Sequence, residues 1–405
     1  MIEGGVTAPL GFKANGAACG IKRSKKRDLS LIVSERRCDA AGVFTTNKVQ
    51  APCVIINKER LKDQKAQAII ANSGNANCMT GKSGFKNSEL MARTAARSLK
   101  IKADDVLTAS TGVIGKPLPI KKIMAALPAL VKGLSRKGHE PAAHGILTTD
   151  RVIKETAAEF HVAGKKVRIG AMAKGAGMIH PQMELPPLKH ATMLCFITTD
   201  AVIASTALRD ALKQAVDKTF NLMTIDGDMS TNDMALILAS GLAQNKRIVE
   251  KTKEFRAFCG VLEALCLALA KEMVKDAEGA TKFVEILVRR AETREDARRV
   301  ARTVAGSNLV KCALFGSDPN WGRIAAAVGY APARVDPWKL HLYLGKELVL
   351  RNGGRVKKKA VILNRIFAHK NIKITVDLGL GRYGATAYTC DLSTNYVRIN
   401  SAYRT

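Results

Sequence analysis

The spacing of apolar and polar positions changes period along this chain, and the changes mark its elements. From Asn87 to Lys100 apolar residues recur at helical spacing behind an Asn-Ser pair that resembles an N-cap, so a helix is expected there. Thr206–Phe220 and Lys253–Lys275 read as helices by the same spacing. Short runs rich in Ile, Val and other apolar residues predict strands at Gln67–Ala71, Lys166–Ala171, Met193–Thr198, Ala235–Ala239 and Ile372–Asp377. The apolar window from Val261 to Ala270 is broken by Glu263 and followed by Lys271 and Glu272. It reads as a buried or amphipathic helix and falls short of the roughly 18 apolar residues of a membrane span. The mixture predicts an α+β fold with much antiparallel sheet, without internal repeats.

Glycine and polar residues cluster at Asn72–Gly81, Ser110–Gly115, Lys174–Pro181, Asp226–Asp233, Phe315–Arg323 and Gly379–Gly384. Backbone donors approach a ligand most closely in such loops, so chemistry is sought there. Two of them imitate nucleotide motifs. Gly379, Gly381 and Gly384 spell GxGxxG, but Ala385–Thr389 reads as another strand and the sequence reaches only Thr405, leaving no room for a βαβ unit; a tight turn between strands is expected. Gly81-Lys82-Ser83 resembles the end of a P-loop, but Ala76 stands where its upstream glycine belongs.

The 405 residues suffice for two or three domains and a large core. The nine cysteines are odd in number and lack CxxC spacing, and the seven histidines form no ligand pair such as HExxH. Reduced thiols in a cytosol and no bound metal are expected. The opening MIEGGVTAPLGFKANGAACG lacks a basic stretch followed by an apolar one, so no secretory leader is expected and the location is read as cytoplasmic. The net charge of +30 raises nucleic-acid binding as a function, but the basic residues are spread along the chain and aromatics are only 5%, without interleaving. No specific nucleic-acid partner and no membrane association are expected.

One stretch carries candidate chemistry: IGAMAKGAGMIHPQMELPPLKHATMLCFITTD, Ile169 to Asp200. A threonine hydroxyl is a weak nucleophile unless a base adjoins it. Cleavage just before a threonine supplies one, because the freed α-amino group titrates at about 7.7–8.0. Small Ala191 precedes Thr192, an apolar strand follows, and a Pro-containing loop lies upstream.

In that setting the chain resembles the ornithine acetyltransferase family, also called the bifunctional glutamate N-acetyltransferases. The resemblance runs through VTAPLGFKANG (Val6–Gly16), VFTTN (Val43–Asn47), NSGNANCMTG (Asn72–Gly81), STGVIG (Ser110–Gly115) and TTD (Thr148–Asp150). It continues with MAKGAGMIHP (Met172–Pro181), ATML (Ala191–Leu194), FNLMTIDGDMSTND (Phe220–Asp233), AEGATK (Ala277–Lys282), VKCALFGSDPNWGRI (Val310–Ile324) and VRINSAYRT (Val397–Thr405). So many segments in order span nearly the whole chain.

The resemblance implies a layered α/β sandwich of the ornithine acetyltransferase type, with N-terminal-nucleophile-like self-processing and a smaller C-terminal α/β region. It implies cleavage between Ala191 and Thr192 into fragments 1–191 and 192–405, which stay together and pair as a heterotetramer. Thr192 matches the nucleophile, and Thr111 and Gly112 match the oxyanion-stabilising pair. Lys174, Thr192, Glu278, Asn400 and Thr405 match substrate contacts, as does Thr149 in the TTD segment, with Thr148 the alternative. The implied cycle is ping-pong: N-acetylornithine acylates Thr192, ornithine leaves, and glutamate takes the acetyl group. It needs no cofactor. Members that also use acetyl-CoA share these motifs, so that second donor stays open.

The residue types suit the roles. Preset donors at Thr111 and Gly112 would stabilise the tetrahedral oxyanion, one such donor being worth about 3–4 kcal/mol. Lys174 and the polar groups of Thr149, Asn400 and Thr405 suit a carboxylate, and Glu278 suits a cationic amine. The chain departs from the pattern where Glu184–His190, with Pro186 and Pro187, separates the His-Pro element from Ala191; where Arg151 follows TTD; and where Met229 replaces a threonine. His190 reads as a solvated loop residue. Two other functions stay in view. A self-processed amidohydrolase or aminopeptidase would pass the acyl group to water, and a nucleic-acid binder would show salt-dependent affinity.

Overall fold

The computed structural model describes residues 1–184 and 193–402, which divide into two compact units. The first comprises Met1–Gly175, Pro181–Asn221 and Met229–Leu269; the second comprises Ala176–His180, Leu222–Asp228 and Ala270–Thr405. Expected sites Ala191, Thr192 and Thr405, and all of Glu184–His190 except Glu184, lie outside the described residues.

The strands of the first unit are β1 (Phe12–Ala17), β2 (Leu29–Thr45), β3 (Lys65–Asn75), β4 (Val106–Val113), β5 (Lys154–Val162), β6 (Lys165–Lys174), β7 (Met183–Glu184), β8 (Leu194–Thr199) and β9 (Met234–Ala239). They form one mixed sheet in the order β4-β3-β2-β9-β8-β6-β5, with β1 and β7 also paired to β2. Among the described strands of this sheet, only β3–β4 and β8–β9 are parallel; the other pairings are antiparallel. The helices are α1 (Pro52–Arg60), α2 (Gly81–Leu99), α3 (Ile120–Lys132), α4 (His139–Ile146), α5 (Ser205–Lys218) and α6 (Lys253–Lys275), whose residues to Leu269 belong here.

Alternation along β2 and β3 splits the core between the two faces of the sheet. Ile32, Ile69 and Ala71 join Ala142, Ala143 and Ile146 of α4 and Cys53 and Val54 of α1 in one apolar cluster. Their neighbours Leu31, Ala68 and Ile70 join Met91, Ala92 and Ala95 of α2 and Ile123, Leu127 and Leu130 of α3 in another. Every residue of β8 and β9 is buried. Strands covered on both faces read as continuous apolar runs, which is why these two were visible in sequence.

The second unit holds β10 (Phe283–Ala291), β11 (His341–Leu344), β12 (Glu347–Arg351), β13 (Gly354–Arg355), β14 (Asn371–Asp377) and β15 (Tyr383–Cys390), in the order β13-β12-β11-β14-β10-β15. Its helices are α7 (Arg294–Gly306), α8 (Asn308–Phe315), α9 (Trp321–Gly329), α10 (Ala360–Ala368) and α11 (Thr394–Ser401). Helix α7 starts where Thr293 accepts a hydrogen bond from the Asp296 amide, with Glu295 and Asp296 in its first turn. Its stripe Ala297, Val300, Ala301 and Val304 packs into a core with Val284, Ile286 and Val288 of β10.

This is the α+β architecture expected, with the smaller C-terminal region as a unit of its own. Details differ. The GxGxxG segment does join two strands, but β14 and β15 flank opposite edges of β10, so it crosses over β10 instead of turning back on itself. Helix α2 begins at Gly81, well before Asn87. The 17-residue β2 went unread, because Glu35, Arg36 and Arg37 interrupt its pattern where its register shifts between Val33 and Cys38.

Candidate functional site

In the first unit, the parallel pairing of β3 and β4 sets Ser73 beside Thr111 and Gly74 beside Gly112. Thr111 is buried, and Gly112 has φ +129°, which only glycine adopts readily. A Cβ on Gly112 would lie 2.4 Å from the Gly74 carbonyl carbon and 2.5 Å from the Asn75 nitrogen. The two backbones therefore approach closely because Gly112 carries no side chain. Asn232 ties this region together: its Nδ2 donates to the carbonyls of Ala76 (2.6 Å) and Ser110 (2.8 Å).

Lys174 ends β6 and is paired in register with Leu194 at the start of β8, two residues after Thr192 in the chain. Its Nζ lies 3.5 Å from Thr111 Oγ1 and 3.9 Å from Asp150 Oδ2. The fold thus brings together the ends of β4 and β6 and the TTD segment. Asp150, whose side chain is fully buried, is the hub. Lys154 Nζ bonds it at 2.8 Å, and the amides of Gly175 (2.8 Å) and Thr148 (3.0 Å) donate to it. Burial alone would raise its pKa, but the Lys174 and Lys154 cations reverse the effect and hold it well below the usual carboxylate range. Thr148 also directs its hydroxyl at Asp150, 3.5 Å away, while Thr149 is half-buried. One carboxylate set among lysines leaves this corner cationic, as suits an anionic ligand or a developing oxyanion.

The second unit contains the other expected contacts. Glu278 is buried; its amide donates to the Ala176 carbonyl (2.9 Å), and its Oε2 accepts from Asn400 Nδ2 on α11 (2.8 Å). A Cβ on Gly177 would stand 2.4 Å from that Oε2, so the absence of a side chain at Gly177 leaves room for the carboxylate. Asp226 fixes the same loop by accepting from the amides of Met178 (2.6 Å) and Ile179 (2.9 Å), and from Tyr396 Oη (3.2 Å). Burial raises the pKa of Asp226; burial and the adjacent Asp226 charge raise that of Tyr396. His180 sits between Thr224 Oγ1, 2.9 Å from Nδ1, and Arg302, 2.6 Å from Nε2. Burial and the Arg302 charge push the imidazole down to about 3, so it is neutral and accepts at Nε2.

The structure therefore groups Thr111, Gly112, Lys174 and the TTD segment in one unit, and Glu278 with Asn400 in the other. Ala191, Thr192 and Thr405 lie outside the described residues. Reading the sequence missed Asp150 as a hub, although it is the D of TTD, and missed Asp226 and His180 as anchors of the Ala176–His180 loop. Only their place inside motif segments hinted at them. Among the described residues no group of three or more His, Cys, Asp or Glu side chains could hold a metal ion. No described helix is long and apolar enough to cross a membrane.

Comparison with known proteins agrees in extent. The ArgJ family model matches residues 13–405. The arginine biosynthesis bifunctional protein ArgJ of Symbiobacterium thermophilum is 48% identical, with 100% of this chain and 99% of that protein covered. The glutamate N-acetyltransferase of Methanocaldococcus jannaschii is 46% identical, with both chains covered at 100%. The crystal structure of the arginine biosynthesis bifunctional protein argJ of Bacillus halodurans matches with a TM-score of 0.51 at 38% identity, covering 52% of this chain and 100% of that one.

Proposed function

This chain belongs to the ArgJ family, and we propose that it moves an acetyl group from N-acetylornithine to glutamate through an ester on Thr192. It is an acyltransferase of arginine biosynthesis. The observation that carries the mechanism is the set of distances joining Thr111 Oγ1, Lys174 Nζ and Asp150 at the end of β6, whose Lys174 pairs with the strand that starts two residues after Thr192.

The chain first cleaves itself between Ala191 and Thr192, and the freed α-amine becomes the base for the Thr192 hydroxyl. The hydroxyl attacks the acetamide carbonyl of N-acetylornithine while its proton passes to the α-amine. Thr111 and Gly112 stabilise the oxyanion that forms. The carbon–nitrogen bond then breaks, the α-ammonium returns a proton to the leaving amine, and ornithine departs. The amine of glutamate next attacks the ester, giving N-acetylglutamate and restoring the hydroxyl. Lys174, held by Asp150, attracts the substrate carboxylate with Thr149, Asn400 and Thr405, and Glu278 takes the cationic amine of ornithine.

Fragments 1–191 and 192–405 remain together after cleavage, because β8 of the second lies hydrogen-bonded in register to β6 of the first. Two copies of each make a heterotetramer. All nine thiols are free, which supports a cytoplasmic setting.

The test is release of ornithine from N-acetylornithine with and without glutamate. Turnover that requires glutamate and yields N-acetylglutamate is expected. Free acetate formed at the same rate in both conditions would instead make the protein a hydrolase. Replacing N-acetylornithine by acetyl-CoA in the same assay decides whether that donor serves as well.

A further inference from the structure

The first unit holds a lysine with no role in the cycle above. Asp28, fully buried, gathers the loop before β2 by accepting from the amides of Cys19 (2.6 Å), Ile21 (2.6 Å) and Lys22 (2.9 Å). This fixes the Lys22 backbone against the β3–β4 ends. A Cβ on Gly74 would meet Lys22 Cγ at 3.1 Å, and Gly74 is the register partner of Gly112. The Lys22 stem therefore runs over Gly74, the register partner of the glycine assigned to the oxyanion position. Its Nζ donates to the Arg27 carbonyl at 2.6 Å, a neutral acceptor that a carboxylate would displace.

Resting on the acetyl-transfer reading, the geometry points to Lys22 as the cation that takes the side-chain carboxylate of the incoming glutamate. Both substrates have an α-carboxylate, so a group serving it acts in both half-reactions. Their side chains differ in sign: ornithine ends in an ammonium, glutamate in a carboxylate. A permanently charged cation at the side-chain end would repel ornithine. Lys22 avoids this conflict. Burial pushes its ammonium down to about 8; Asp28 and Asp150 oppose that shift, and Lys174 and Lys26 add to it. The amine becomes neutral readily beside an ornithine ammonium and charged beside a glutamate carboxylate.

The experiment uses the self-processed full chain with a saturating acetyl donor, and compares glutamate with its neutral isostere glutamine as acceptors. First-half release of ornithine is recorded in parallel. If the parent enzyme forms no acetyl-enzyme, the transfer reading fails and not this one. Lys22→Met is expected to lower kcat/KM for glutamate by about tenfold or more while changing that for glutamine by less than about threefold. Lys22→Arg should keep the preference for glutamate. The parent's glutamate-to-glutamine ratio should fall above about pH 8, where the amine loses its charge, and that of Lys22→Arg should stay flat; titrations shared by both acceptors cancel in the ratio. Equal losses with both acceptors, which would place Lys22 at the α-carboxylate, or no loss with either, would overturn the assignment. Should Lys22→Met fail to self-process, the pH dependence of the ratio in the parent and in Lys22→Arg decides alone.

Discussion

Replacing Gly112 by alanine challenges the most constrained point of the candidate site. Gly112 has φ +129°, and its added Cβ would meet Gly74 carbonyl C at 2.4 Å, Asn75 N at 2.5 Å and Gly74 Cα at 2.7 Å. All three are backbone atoms, so no side chain can swing aside and β4 must separate from β3. The strained φ costs about 1–3 kcal/mol, and the forced repacking adds about 1–3 kcal/mol. The expected loss of stability is therefore about 2–6 kcal/mol. Activity is expected to fall further, because movement of this peptide would misplace the proposed oxyanion donor, worth about 3–4 kcal/mol, a rate loss of roughly 100- to 1000-fold. Gly115→Ala is the matched control: its φ is +80°, but no atom lies within 4 Å of the new Cβ. It should lose only about 1 kcal/mol and little activity. Urea midpoints and acetyl-transfer rates of the two variants, measured side by side, test the comparison. A Gly112→Ala enzyme no less stable and no slower than Gly115→Ala would show that the Gly74–Asn75 backbone does not constrain this position.

Two further outcomes follow from the buried charges. Asp150→Asn removes the carboxylate that Lys154 and Lys174 share where side chains are almost fully buried; a loss of about 3–5 kcal/mol in chemical denaturation is expected, and a loss below about 1 kcal/mol would contradict the hub. His180 is held neutral with its pKa pushed from 6.5 down to about 3, so only the unfolded chain takes up its proton between these values. Its stabilising contribution is complete above pH 6.5 and declines as the pH falls toward 3. Urea midpoints between about pH 7 and 4 should fall less steeply for His180→Gln than for the parent, and parallel slopes would remove His180 from the acid response.

What the sequence revealed follows from how each element is stabilised. Helix α6 was legible to its ends, Lys253–Lys275, because its own periodicity defines it. Helix α2 starts earlier than its local pattern indicates because Ser88, which resembles a cap in sequence, is a buried mid-helix residue whose Oγ accepts from Asn77 Nδ2 (3.0 Å), while the same nitrogen donates to the Gly84 carbonyl (2.9 Å). That network reaches back from a preceding loop, and no local signal reports it. Thr111, Gly112, Lys174, Glu278 and Asn400 were named from motif resemblance; the Asp150 hub and Lys22 were not. Their roles arise from contacts between segments far apart in sequence, such as Asp28 holding the loop that sets Lys22 over Gly74. Helix α10 eluded the pattern for a different reason: Val361 and Ile362 are exposed, so its apolar residues do not mark an inward face.

In the proposed mechanism, a backbone break turns Thr192 into an acetyl carrier. Its most direct test is mass analysis of the purified protein after exposure to N-acetylornithine in the absence of glutamate. Two chains are expected, 1–191 and 192–405, with the acetyl group on the N-terminal peptide of the second at Thr192, removed on adding glutamate, and a single unlabelled chain for Thr192→Ala. A parent protein that stays whole while transferring acetyl groups, or that carries the label elsewhere, would contradict it.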